Sequence, residues 1–241
     1  MLDLDRELKR IVGIAGGVLL FAIPAQAVDT VPQPMASRVL TNIYEIWTAP
    51  RKERDQPHRI HTEVLIYYFD AQWNNAWGEC LGETAYLPLA DCPTVLKVGQ
   101  RVAIDGVIIP MRERFLWDKT QIRILEENVK LKAEELRDLG KEPKKHKGRL
   151  VEVQGLVDRV LDDPTHLTVR FLSGTVVANA FLVKDPDQPA PQLHAGDLIR
   201  MKCVYSPQFD LNGDVSDLSL FIGRPSDIQI TGSLSKDARF D

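Results

Sequence analysis

The sequence predicts a mainly β fold in which one small unit is written twice, and three observations carry that reading. Short runs rich in β-branched and aromatic residues recur at spacings of about 8 to 12 residues, with Gly, Asn or Asp between them. A glycine-opened alternating run at residues 97–107, Lys-Val-Gly-Gln-Arg-Val-Ala-Ile-Asp-Gly-Val, returns at residues 194–204 as His-Ala-Gly-Asp-Leu-Ile-Arg-Met-Lys-Cys-Val, every position shifted by 97. Each copy offers about five short strands, the count and lengths of a five-stranded, partly open barrel of the OB type. The expected fold is therefore two tandem five-stranded OB-like barrels joined by a short helix, after an N-terminal signal peptide. The alternative is a single ten-stranded sandwich in which the repeats share one core.

The signal peptide is read at residues 1–27. Arg6, Lys9 and Arg10 precede a 13-residue apolar run at residues 11–23, followed by Pro24 and the small-x-small triplet Ala25-Gln26-Ala27. That layout directs secretion, and the run is shorter than the roughly 20 apolar residues of a transmembrane helix. Cleavage after Ala27 leaves a periplasmic or secreted protein with no later membrane span. The acidic Asp3, Asp5 and Glu7 leave open an uncleaved N-terminal anchor.

The first OB-like domain is expected over residues 36–125. Residues 61–70 read as a strand, Trp73-Asn74-Asn75 as a turn, residues 77–81 and 83–89 as two further strands, 97–107 as a fourth and 119–125 as a fifth. A linker follows at residues 126–149. Val129, Ala133, Leu136 and Leu139 recur there at helical spacing, Glu126 precedes Lys130 by four, and Gly140 is suited to stop a helix. Its end, residues 141–149, is basic and reads as a solvated face. The second domain, residues 150–232, repeats the set, with strands at 150–157, 167–171, 175–182 and 194–204 and a finish at 219–222 and 228–230.

Composition narrows the function. With 44% hydrophobic residues in 241, 15 Gly and 15 Pro, the chain is folded and not a disordered tail. Thirty basic against 34 acidic residues give a net charge of -4, which excludes a protein whose whole surface grips a polyanion. Three cysteines without a C-x-x-C pair exclude a zinc ribbon or a thioredoxin-like centre. In an oxidising compartment Cys80 and Cys92, twelve positions apart, are the expected disulfide, and Cys203, in an alternating apolar run, is a buried thiol.

Catalytic motifs are missing. No Gly-x-Ser-x-Gly elbow occurs, and His58-Arg59-Ile60-His61 keeps only part of the His-Glu-x-x-His metal helix. The histidines are scattered, so no metal site and no cofactor is expected. Residues 210–216, Asp-Leu-Asn-Gly-Asp-Val-Ser, carry their Gly fourth where a calcium loop needs it sixth, and Asn212-Gly213 reads as a hairpin turn instead.

The aromatic residues are the asymmetry with functional meaning. All four tryptophans, Trp47, Trp73, Trp77 and Trp117, precede the linker. An OB barrel binds across its second and third strands and the bordering loops, where rings stack and Arg adds charge. Trp73, Trp77 and Tyr86, with Arg112 and Arg114 in the loop before the last strand, are the candidate ligand contacts. The competing reading makes the rings filler of a core or an interdomain joint.

The run Ile66-Tyr67-Tyr68-Phe69-Asp70, its continuation Trp73-Asn74-Asn75-Ala76-Trp77, and Leu96 with residues 97–106 resemble the extracytoplasmic sensory region of a group of bacterial membrane histidine kinases. Residues 151–157, 193–204 and 224–228 are similar to the module that follows in those proteins. The resemblance covers residues 36–232 and implies serial OB-like modules with a sensory role. Those kinases continue into a membrane helix and a catalytic core that this sequence does not contain, so it implies either a stand-alone relative or a piece of a longer receptor, without kinase activity. The expected function is a non-enzymatic sensory or interaction module that binds a small molecule, glycan or protein partner. The alternative is a single-stranded nucleic acid or polyanion binder using the OB face with Lys144, Lys145, Lys147 and Arg149.

Overall fold

The computed structural model describes Ala36 and residues 38–234; the expected signal peptide lies outside the described residues. The first repeat comprises β1 (Val39–Leu40), α1 (Tyr44–Thr48), β2 (His58–Asp70), β3 (Asn75–Cys80), β4 (Glu83–Tyr86), β5 (Arg101–Ile109), β6 (Arg114–Phe115) and β7 (Gln121–Glu126). The linker contributes β8 (Glu134–Glu135) and α2 (Pro143–His146). The second repeat comprises β9 (Leu150–Asp162), β10 (His166–Ser173), β11 (Val176–Val183), β12 (Asp197–Phe209), β13 (Val215–Ile222) and β14 (Ile228–Ser233).

The strands form two sheets, each curled around its own core. In the second, β9, β10, β11, β13 and β12 form a closed ring, because β11 pairs in parallel with β13 and β12 pairs back to β9. This is the five-stranded OB barrel expected from the sequence. The first runs β4-β3-β2-β5-β6, with β7 also on β5, and stays open because β6 has only two residues. Its core is completed by the chain before β2: Leu40, Ile43 and Ile46 are buried in it and Trp47 packs against it. Burial pushes the Glu45 carboxyl up, but the N–H groups of Thr41 and Asn42 at 2.7 and 3.2 Å and the Arg38 guanidinium outweigh this and hold it below its ordinary value.

The duplication extends to single hydrogen bonds. Gly99 and Gly196, both at positive φ, donate to the carbonyls of Ile66 and Val157, each at 2.8 Å. Only a residue without Cβ adopts that backbone readily, so the two glycines fix the entry to β5 and β12 alike. The β2–β3 and β9–β10 pairings both slip by one residue at the matching place, leaving Tyr67 and Asp158 as the bulged residues. From this register Leu65 corresponds to Leu156, Trp77 to Arg170, Tyr86 to Asn179 and Arg101 to Leu198.

Strand patterning explains how the barrels meet. In β2, Ile60, Thr62 and Val64 are buried while Arg59, His61 and Glu63 are exposed; from Leu65 to Asp70 no position is exposed. The alternation ends where a second layer covers the outer side of the strand. That layer is the other barrel. Leu65, Tyr67, Tyr68 and Trp77 bury against Leu150 and Val204, with Leu131 of the linker between them. Separate cores with a packed joint replace the single sandwich core.

Two expectations are corrected. Residues 127–133 form no helix: the chain bends at 127–128, with Asn128 at positive φ, and the linker's helix is the single turn α2. Val129, Leu131 and Ala133 alternate into the joint, and Leu136 and Leu139 enter the second core. Two non-helical spans laid end to end thus imitate helical spacing. The expected disulfide is not formed. Cys80 and Cys92 are free: the Cys80 sulfur lies 3.0 Å from the Thr62 hydroxyl, while the Cys92 thiol donates to the Thr94 carbonyl at 3.2 Å. Cys203 is buried as expected, and Asn212-Gly213 lies in the β12–β13 hairpin turn.

Candidate functional site

The three aromatic candidates lie at the joint, Trp77 and Tyr86 in ring contact and Trp73 apart from them, against the second barrel. Trp77 is buried, its indole N–H donating to Asn75 Oδ1 at 2.9 Å, and its ring lies 6.4 Å from Phe221 of the second barrel. Tyr86 meets the Trp77 ring edge-on at 5.8 Å, and its hydroxyl donates to the Asn74 carbonyl at 2.9 Å. Trp73 is 47% exposed and lies flat on His166, with centroids 3.8 Å apart, and edge-on to Phe181 at 5.4 Å. Arg112 and Arg114 are exposed elsewhere, around the β5–β6 turn, with Arg114 4.0 Å from Asp91. The OB face expected to take a ligand on the first barrel is thus occupied by the second.

Beneath Trp73 lies a polar cluster that sequence reasoning missed. Asp70 Oδ2 is 2.8 Å from His166 Nε2, and neither side chain has more than 1% exposure. The other carboxylate oxygen accepts the N–H groups of Gln72 and Trp73 at 2.9 and 3.2 Å, and the Tyr68 hydroxyl donates to Oδ2 at 3.3 Å. The second ring nitrogen of His166 is 2.8 Å from the Thr165 hydroxyl. Burial, reinforced by Asp70, pushes the Tyr68 phenol up, so it stays a donor. Asp70 and His166 are 96 residues apart, and no local spacing could pair them.

The corresponding face of the second barrel is open. Val177, Leu172, Leu156 and Leu198 stand opposite one another in register across β11, β10, β9 and β12. Val177, Leu172 and Leu198 are 45%, 37% and 40% exposed, and Leu156 is half-buried. The row crosses three strand spacings, about 14 Å. It is rimmed by Asn179 and the Asp158–Arg170 ion pair at 3.3 Å on one side and by the Arg200–Glu152 pair at 3.8 Å on the other. A sequence signal did exist: the doublets Leu156-Val157, Phe171-Leu172 and Val176-Val177 put apolar residues on both faces of their strands.

Other surfaces are more polar. A groove of about 670 Å³ on the first barrel is lined by Arg59, His61, Asp105, Val107, Trp117 and Lys119, among others. A cleft of about 720 Å³ beside the proline-rich β11–β12 loop carries Asp162, Lys184 and His194. In the linker, the Lys144 and Lys147 ammonium groups lie 5.5 and 5.8 Å from the Phe209 ring centre, while Lys145 pairs with Glu142 and Arg149 with Glu134. Among the described residues no three His, Cys, Asp or Glu side chains converge as metal ligands, and no helix is long and apolar enough to cross a membrane.

No family model and no curated protein matches the chain. Among solved structures it is similar to an aspartyl-tRNA synthetase from Entamoeba histolytica, with 12% identity and a TM-score of 0.32 over 43% of this chain and 22% of that one. The chain thus spans about a fifth of that enzyme's length. It is also similar to the Ifi202 HINa domain in complex with 20-bp dsDNA, with 12% identity and a TM-score of 0.31 over 74% of this chain and 96% of that one. A third similar structure is OBody AM3L09 bound to hen egg-white lysozyme, with 17% identity and a TM-score of 0.31 over 43% of this chain and 99% of that one.

Proposed function

We propose that this protein is a non-enzymatic, extracytoplasmic interaction module, signalling-related as the sensory-region resemblance implies, and that its working surface is the outer β9–β10–β11 face of the second barrel. The observation that carries the reading is the apolar row of Val177, Leu172, Leu156 and Leu198, exposed inside a polar rim. An apolar centre with a polar rim is the anatomy of a recognition surface. Arg170 and Arg200 on that rim already face carboxylates, which favours an apolar protein or glycan surface over a phosphate backbone. The test is calorimetric titration against an oligosaccharide panel and a fractionated envelope extract, with wild type, Leu172→Glu and Trp73→Ala compared. Binding lost in Leu172→Glu and retained in Trp73→Ala supports the reading; equal binding by all three overturns it.

A second reading, polyanion binding, is favoured only by the two lysines over Phe209. It requires an affinity for oligonucleotide that falls steeply with salt and weakens in Lys144→Ala and Lys147→Ala.

A further inference from the structure

The face left open on the second barrel is the face by which the first barrel docks. Leu65, Tyr67, Trp77 and Tyr86 enter the joint or pack against it, and their register counterparts are Leu156, Asp158, Arg170 and Asn179 on the open face. The surface that receives them also has a counterpart. Leu150 and Val204 stand opposite each other on β9 and β12, and Arg59 and Val107 stand opposite each other at the matching place on β2 and β5. Around Arg59 and Val107 lies the 670 Å³ groove of the first barrel. Among the described residues, the two-barrel body therefore has an uncovered docking face on one barrel and an uncovered receiving groove on the other, counterparts of the two surfaces that are already joined within the chain.

From this we infer that the occupant of the open face is a second copy of this chain, held by its first-barrel groove, so that copies associate head to tail. The partner assignment rests on the reading of that face as the working surface. Charge fits the exchange. Asp158 replaces Tyr67 on the docking side and Arg59 replaces Leu150 on the receiving side. Arg170 replaces Trp77, and the groove offers Asp105 and Asp118, so the Asp158–Arg170 and His61–Asp105 pairs that close within one copy exchange partners across the contact. An apolar contact inside the chain becomes, between chains, an apolar row flanked by opposite charges, which gives specificity and reversibility more than tightness. A heterologous contact of this kind leaves a free face at one end and a free groove at the other, so it propagates unless a ring closes.

Sedimentation velocity of the purified protein over a wide concentration series tests this. The expected result is a weight-average mass that climbs with concentration, and loss of that climb in Leu156→Glu, at the counterpart of the joint residue Leu65, and in Arg59→Glu, each raising the apparent dissociation constant about tenfold or more. Mixing the two variants restores association but stops it at a dimer, because each keeps the surface the other lacks. A protein that stays monomeric throughout the series overturns the inference, as does a closed dimer that Arg59→Glu leaves intact. A monomeric wild type whose glycan or protein binding is still lost in Leu172→Glu sinks self-association alone; a monomeric wild type with Leu172→Glu without effect on glycan or protein binding sinks the working face as well.

Discussion

His166 Nε2 lies 2.8 Å from Asp70 Oδ2 across the joint of the two barrels, both side chains sealed from solvent and roofed by the Trp73 ring. A charge buried this way is tolerated only while its partner and its hydrogen bonds remain in place. The pair therefore fixes the registration of one barrel on the other more than it adds net stability.

Removing one member strands the other. His166→Ala leaves the Asp70 carboxylate with Tyr68 and two backbone N–H groups, and is expected to cost about 3–5 kcal/mol. Adding Asp70→Asn should recover a large part of that cost. Urea denaturation of the two single variants and the double variant measures the coupling, and additive costs would show that the pair does not act as a unit.

Trp77 is a structural residue of the joint, so Trp77→Ala is expected to destabilise the protein by about 3–5 kcal/mol. Hydrogen exchange should rise in β2, β3 and the end of β12 together, as one unit opens. Unchanged stability would return Trp77 to the list of ligand contacts.

The phenols of Tyr67 and Tyr68 are both pushed up by burial, with Glu79 adding to the first and Asp70 to the second. A group whose folded pKa is raised contributes stability that is complete below its unfolded value, about 10 for tyrosine, and lost as pH rises through the folded value. Alkaline titration followed by phenolate absorbance should show these two tyrosines ionising only with loss of tertiary circular dichroism. Ionisation of every tyrosine in the intact fold would contradict their burial.

Thiol chemistry separates the cysteines. With all three free, Cys80 and Cys203 buried and Cys92 half-covered with its thiol pushed up by burial, a thiol reagent should react slowly at Cys92 and reach the other two only in denaturant. A mass two hydrogen atoms short of the reduced chain would restore the Cys80–Cys92 bridge.

The repeat was legible because its punctuation is local: Gly99 and Gly196 open matching strands under the same backbone constraint. The linker reads as a helix in sequence because Val129, Ala133, Leu136 and Leu139 satisfy a helical period, although they belong to non-helical segments, the first two serving the joint and the last two the second core. The tryptophans were legible as an asymmetry, but composition does not say whether a ring faces a ligand or a neighbouring module. The Asp70–His166 pair was invisible because its partners are brought together only by the docking of whole barrels.

The second barrel is a hoop closed by its own hydrogen bonds, whereas the first is a hoop with a gap, stoppered by Leu40, Ile43 and Ile46 from the stretch just ahead of it. Tension applied at the Ala36 end draws on the stopper before it reaches any ring of strands.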